Sequence, residues 1–195
     1  TAILVGDALQ SMAFELLSNP DLIEHNLDAT KHLNIITILA KAIGPQGMIA
    51  GQSLEFNPKL PFSNYTIEDL NEIHALKTGK LFLASLQIGA VVADFTSVQY
   101  DIITNLGKTL GLAFQIQDDI LDLTLSSATL GKPSQSDYQR GIPTYATIID
   151  IAPAQAILSD LWKSSKNLIT ELESTSNKKF TILTKLLDHI AARQS

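Results

Sequence analysis

The sequence of 195 residues contains no cysteine. Disulfides, thiolate nucleophiles and zinc–thiolate sites are excluded, and the expected location is a reducing compartment, the cytoplasm. Charge is also scarce: 17% of residues are Asp, Glu, Lys or Arg, and the net charge is −6. Much of the chain is therefore expected to be buried or paired, and no general attraction to nucleic acid is expected. An anionic ligand would need local lysines or a metal to overcome the overall sign. Long apolar runs are missing too. The longest, at 81–92, is broken by Ser85, Gln87 and Gly89 and falls short of the ~20 residues of a membrane span. The start lacks the basic region of a signal peptide. Thr1 stands where Met would, and Ala2-Ile3-Leu4-Val5 reads as helix interior with no cap before it. The chain is thus expected to begin inside a longer protein.

What is present is helical periodicity nearly everywhere, with hydrophobic residues at 45%, a value that suits one domain, 1–195, with a sizeable core. Ile3, Leu4, Ala8, Leu9, Met12, Ala13 and Leu16 form one wide apolar stripe. Asn19-Pro20-Asp21 reads as the start of a second helix reaching about Ile43, where Gly44-Pro45 stops it. A short helix is expected over 46–55 and a loop over 57–61. Thr66-Ile67-Glu68-Asp69 resembles a capping box, with Asp in the usual Glu or Gln position. The helix it opens runs to about Ala93 and contains Gly79, whose cost of about 1 kcal/mol relative to Ala predicts a packing or site reason. Further helices are expected over 96–123, 154–173 and 178–192, with a polar loop over 126–143. No strand pattern and no internal repeat competes with an all-α reading.

Asp118, Asp119 and Asp122 carry the chemical signal. On a helix, 118 and 122 lie one turn apart on one face, with 119 about 100° round. Three carboxylates within one turn repel each other and the negative end of the helix dipole. Their neighbours Leu112, Ala113, Phe114, Ile116, Ile120, Leu121 and Leu123 are apolar, unlike a solvated acidic patch. A compensating cation is expected, and Mg²⁺ suits: it takes oxygen ligands, keeps waters and bridges carboxylates to phosphates. Spacing alone leaves a surface acidic patch open. Lys77 and Lys132 are point charges suited to a diphosphate, although either one alone is more often a solvated surface group. His74, Gln115 and Gln117 read as packed residues or as supporting contacts.

The segment Leu112-Ala113-Phe114-Gln115-Ile116-Gln117-Asp118-Asp119-Ile120-Leu121-Asp122 resembles the second aspartate-rich motif of the trans-isoprenyl diphosphate synthases, closest in flavour to the bacterial farnesyl diphosphate synthases (geranyltranstransferases). Four further segments agree in order: Gly6-Asp7-Ala8-Leu9, Gly51-Gln52-Ser53-Leu54-Glu55 with Glu where Asp is usual, Lys77-Thr78-Gly79, and Gly131-Lys132 with Thr144-Tyr145. The resemblance implies the C-terminal part of an isoprenoid synthase-type bundle around a central cavity, without its N-terminal helices. It implies condensation of an allylic diphosphate with isopentenyl diphosphate, by Mg²⁺-assisted loss of diphosphate, in a homodimer. Asp118, Asp119 and Asp122 would hold Mg²⁺. Lys77, Thr78, Gln115 and Lys132 would bind the diphosphate, with Asp118 and Lys77 as the catalytic groups.

Two departures stand out. The family's first aspartate-rich motif would lie upstream of Thr1, and Ile142 occupies a position commonly Lys, with Arg140 a candidate substitute. A non-catalytic synthase-like subunit therefore stays open, as does, more remotely, a class I terpene cyclase. The 195-residue chain by itself, purified and given geranyl and isopentenyl diphosphates, is expected to yield no farnesyl product; robust product formation would show that the upstream half is dispensable.

Overall fold

The computed structural model describes residues 1–19, 27–56, 61, 64–124 and 142–193. Among them there are helices and no strand. In chain order these are α1 (Ala2–Ser18), α2 (Ala29–Ile43), α3 (Met48–Phe56), α4 (Ile67–His74), a π-turn (Ala75–Gly79), α5 (Lys80–Val92), α6 (Ser97–Thr124), α7 (Tyr145–Ile148), α8 (Ile151–Ser176) and α9 (Thr181–Ala191).

The 28-residue α6 is the axis of the molecule. It opens with a reciprocal cap: the Thr96 amide donates to Gln99 Oε1 at 2.9 Å, and the Gln99 amide donates to Thr96 Oγ1 at 3.3 Å. Gln99 also ties this end to α8 by donating from Nε2 to the Thr175 carbonyl at 3.2 Å. Along the first half of α6, Ile102, Ile103, Leu106 and Leu110 pack with Ala90 of α5, Ile169 and Leu172 of α8, and Leu187 of α9. Along the second half, Ile116 and Ile120 pack with Leu70 of α4, Tyr145 of α7 and Ala154 of α8. A helix buried this far round must find partners on several sides, and α5 and α8 supply most of them. Asn177, in the left-handed conformation at φ 51°, ends α8 and turns the chain into α9.

Glycines set the closest approaches. A Cβ on Gly111 would meet the Gly79 Cα at 2.7 Å, and one on Gly107 would meet the Leu83 Cα at 2.9 Å. The constraint lies with Gly111, by which α6 crosses the backbone of the π-turn; a Cβ on Gly79 itself would meet only the His74 carbonyl, at an ordinary 3.4 Å, so the packing reason expected for Gly79 is not found. A Cβ on Gly51 would stand 2.3 Å from the Lys77 amide nitrogen, so α3 also touches the π-turn by backbone.

Several boundaries differ from the sequence reading. The second helix does not run unbroken from 21 to 43. Asp28 is extended at φ −68°, ψ 162° and caps α2, accepting from the Lys31 amide at 2.8 Å. The Asn19-Pro20-Asp21 start falls mostly outside the described residues. The single helix expected over 67–93 contains the π-turn, and α8 begins three residues before the expected Ala154. Two stretches, Ala29–Phe56 and Ile67–Val92, match a membrane span in length and composition. The first is broken by the turn at 44–47, and the second carries Lys77 and Lys80 in or beside the π-turn. None of α1 is buried, and Ile3, Leu4, Leu9 and Leu16 lie on the surface.

Because the Gly111–Gly79 contact is backbone to backbone, Gly111→Ala is expected to force the helices apart. The cost should be about 1–3 kcal/mol, or roughly 2–4 °C of melting temperature per kcal/mol in a protein this size. Denaturant unfolding of the variant at wild-type midpoint would show that the contact yields freely.

Candidate active site

The aspartates sit on the last turns of α6, as the periodicity requires, but they do not face one point. Asp118 is partly exposed, whereas Asp119 and Asp122 are buried at 3% and 1% exposure. Asp118 Oδ1 accepts from Arg193 Nη2 at 2.9 Å. Asp119 points into the protein. Its Oδ2 accepts from the Tyr145 amide at 3.0 Å, and its Oδ1 accepts from Gln115 Nε2 at 3.2 Å. Among the described residues, no three His, Asp or Glu side chains converge as a metal cage.

Burying a carboxylate is costly unless donors surround it, and α7 is built to supply one. Thr144 and Thr147 cap each other: the Thr144 amide donates to Thr147 Oγ1 at 2.8 Å, and the Thr147 amide donates to Thr144 Oγ1 at 3.2 Å. The next amide, that of Tyr145, has no partner within its own helix and turns to Asp119. The Tyr145 ring is buried, its hydroxyl donates to Asn71 Oδ1, and it stacks on His74 at 6.0 Å between centroids. His74 Nε2 approaches Asp119 Oδ2 at 3.4 Å without hydrogen-bond alignment. Burial pushes the Tyr145 phenol up to about 12; the Asn71 bond opposes the shift, and the charges of Asp119 and Glu68 add to it.

The network continues into the π-turn. Thr78 Oγ1 donates to Gln115 Oε1 at 2.9 Å, which with the Asp119 bond fixes both ends of the Gln115 amide. Lys77 turns the other way and pairs with Glu55 Oε2 of α3 at 2.5 Å, where Gln52 Nε2 also donates at 3.1 Å. A small cavity of about 40 Å³ mixes polar groups (Glu55, His74, Lys77, Gln115, Asp119 and Thr144) with apolar walls such as Leu70 and Ile73. Ile142 lies on its wall. On the far side of Lys77 and Thr78, an apolar groove of about 310 Å³ runs past Leu81, Phe82 and Ser85. Lys77 borders both.

The structure thus brings together Lys77, Thr78, Gln115 and Asp119, with Asp118 and Asp122 on the same helix end. Lys132 and Arg140 lie outside the described residues. The site also contains groups that the sequence reading did not assign: Arg193 against Asp118, and Tyr145 with Asn71 behind Asp119. Glu55 was read as part of a motif, but its pairing with Lys77 joins segments 22 residues apart and leaves no trace in local spacing.

Residues 1–178 match the family model described as "Polyprenyl synthetase". The chain belongs to the polyprenyl synthetase family. It is 38% identical over 175 residues to the farnesyl diphosphate synthase of Haemophilus influenzae, covering 89% of this chain and 56% of that protein. It is 34% identical to geranylgeranyl pyrophosphate synthase 4 of Arabidopsis thaliana, covering 95% of this chain and 49% of that protein. Among solved structures, a geranyltransferase of Helicobacter pylori complexed with magnesium and isoprenyl diphosphate superposes with TM-score 0.77 at 29% identity, over 97% of this chain and 58% of that one. A geranyltransferase of Legionella pneumophila gives TM-score 0.76 at 31% identity, over 97% and 59%. This polyprenyl synthetase chain therefore spans about half to three-fifths of the relatives it matches, and its all-α bundle is theirs.

Since the phenol of Tyr145 keeps its proton to higher pH in the folded protein than its unfolded value near 10, its contribution is complete below about pH 10. It is lost as the pH rises towards about 12. Unfolding measured across that window should lose stability more steeply in wild type than in Tyr145→Phe; equal slopes would mean that the buried hydroxyl is not the titrating group.

Proposed function

We propose that this chain provides the diphosphate-and-metal half of a short-chain prenyltransferase. The reaction would condense dimethylallyl or geranyl diphosphate with isopentenyl diphosphate to give farnesyl diphosphate. The observation that carries the reading is Lys77 bordering both a small cavity that holds Glu55, Gln115 and Asp119 and an apolar groove that begins at Thr78. That arrangement suits a substrate with a charged head and a prenyl tail. Family membership supports the reaction class. Relatives named for farnesyl and for geranylgeranyl products both occur, and we assign farnesyl on the local wording of the aspartate motif.

The residues present fit a divalent metal of the Mg²⁺ type. Mg²⁺ is commonly held by one or two carboxylates, with water and substrate phosphate completing the shell. Asp118 is the carboxylate most open to such an ion, whereas Asp122, one turn further along, is buried at 1% exposure. Asp119 is committed to Tyr145 and Gln115, so we assign it to positioning rather than ligation. When bound, the metal would stabilise charge developing on the departing diphosphate. Lys77 would exchange Glu55 for the diphosphate, with Lys132 as a second cation. Thr78 and Gln115 hold each other at the cavity edge, oriented by Asp119. Homodimerisation follows from the family reading, and the apolar surface of α1 is available to it.

A second reading, a non-catalytic subunit that modulates a partner, is favoured by Ile142 on the cavity wall, where the family commonly has a lysine. One experiment separates the two. In the full-length protein, Asp118→Ala should lower turnover of geranyl with isopentenyl diphosphate by about 10²-fold or more, and Lys77→Ala should raise the KM for the allylic substrate. Wild-type rates in the Asp118 variant would sink the metal assignment, and a full-length wild type without turnover would point to the modulating subunit.

A further inference from the structure

Arg193 follows α9 and returns against the same face of α6 that carries Asp118. Three contacts seat it. Its Nη2 donates to Asp118 Oδ1 at 2.9 Å. Its guanidinium carbon lies 4.4 Å from the ring centroid of Phe114, one helical turn before Asp118. Gln117 Nε2 donates to the backbone carbonyls of both Ala191 and Arg193, at 3.1 Å each, and so clamps the segment onto α6. The pair is partly withdrawn from solvent, with side chains 25% and 33% exposed, and Arg193 Nε is buried without a partner.

The guanidinium thus stands in for a cation on the carboxylate that the proposed function gives to the metal. We infer that Arg193 is a built-in counter-ion of Asp118 that a divalent ion must displace, so that metal loading and docking of residues 191–193 on α6 oppose each other. This rests on the reading of Asp118 as a metal ligand. A metal would take the guanidinium's place by exchange of one cation for another on the same carboxylate. A divalent ion on Asp118 would repel a guanidinium a few ångströms away, in a setting less screened than bulk water. Docking leaves Nε buried without a partner, a cost that undocking relieves, and the pair's exposure leaves it open to exchange. Competition of this kind lowers the apparent metal affinity by the fraction of molecules in which Arg193 is docked. For a pair at this exposure the effect should be roughly two- to tenfold.

The test is Mn²⁺ binding without diphosphate, read from the electron paramagnetic resonance of the free ion, on full-length wild type, Arg193→Ala and Asp118→Asn. Hydrogen exchange of the amides at 191–193 is followed alongside. Arg193→Ala should bind Mn²⁺ roughly two- to tenfold more tightly, Asp118→Asn should lose that site, and Mn²⁺ should speed exchange at 191–193 in wild type only. Arg193→Lys keeps the charge without the flat stack on Phe114 and should fall between wild type and the alanine variant. If Asp118→Asn loses the metal while Arg193→Ala and Arg193→Lys bind as wild type does, the competition is overturned and the metal reading stands. If Asp118→Asn binds Mn²⁺ as wild type does, Asp118 is not the ligand and both ideas fall.

Discussion

The arrangement of the site follows from one buried carboxylate. Asp119 lies at 3% exposure on the most enclosed face of α6, where an unsatisfied charge would be strongly destabilising. Its donors come from two directions, the Tyr145 amide at the start of α7 and the Gln115 amide one turn back along α6. Meeting that demand fixes where α7 begins after the 125–141 segment. It also fixes which way Gln115 faces, so that its oxygen is left for Thr78. Positions of three separate segments are thereby tied to one pair of oxygens. The phenol of Tyr145 extends the tie to Asn71 on α4.

Around this fixed centre, the groups that could meet a ligand are charged and internally paired. Lys77 is held by Glu55, and Asp118 by Arg193. Each pair is partly exposed, where net ion-pair energies are small and exchange for a stronger partner is favourable. The contrast with Asp119 is instructive. The fully buried carboxylate is locked by backbone and amide donors, which no ligand readily displaces. The rim charges are held by side chains that can let go. Two chemically identical neighbours on one helix turn thus have different partners because burial differs.

Much of this was legible in sequence. The cap at Thr66, the long α6 starting near Thr96 and the aspartate run follow from spacing and residue type, and ordered motifs identified the family. The difference in burial and partners among the aspartates was not legible. Asp118 and Asp119 differ only in which side of α6 they face, and that depends on where α7 returns, a contact between residues 26 apart. Arg193 was invisible for the same reason, reaching Asp118 across 75 positions. The π-turn was not legible either, and its slip shows only in the structure's burial. Buried positions run Leu70, Ile73, His74 and then Gly79, and the step of five from 74 to 79 is a slip that an α-helical period does not allow. The break at Asp28 rested on a single capping side chain inside an otherwise helical pattern, too local a signal to outweigh the periodicity on either side.

The π-turn also shows why packing and chemistry cannot be separated here. Lys77, Thr78 and Gly79 are consecutive, yet each meets a different neighbour: Glu55 on α3, Gln115 on α6, and the Gly111 backbone on α6. One wide turn spreads three successive residues over three partners. Gly111 sets how near α6 comes to the π-turn, and that distance sets whether Thr78 reaches Gln115. Gly51 sets how near α3 comes, and that distance sets whether Glu55 reaches Lys77. A methyl group added at either contact would move the backbone by a few tenths of an ångström or more, at the residues proposed to grip the diphosphate. Shifts approaching 1 Å in a positioned group can cost about 10²-fold in rate. The glycines of this bundle are therefore as much a part of the site's geometry as the charged groups they bring together.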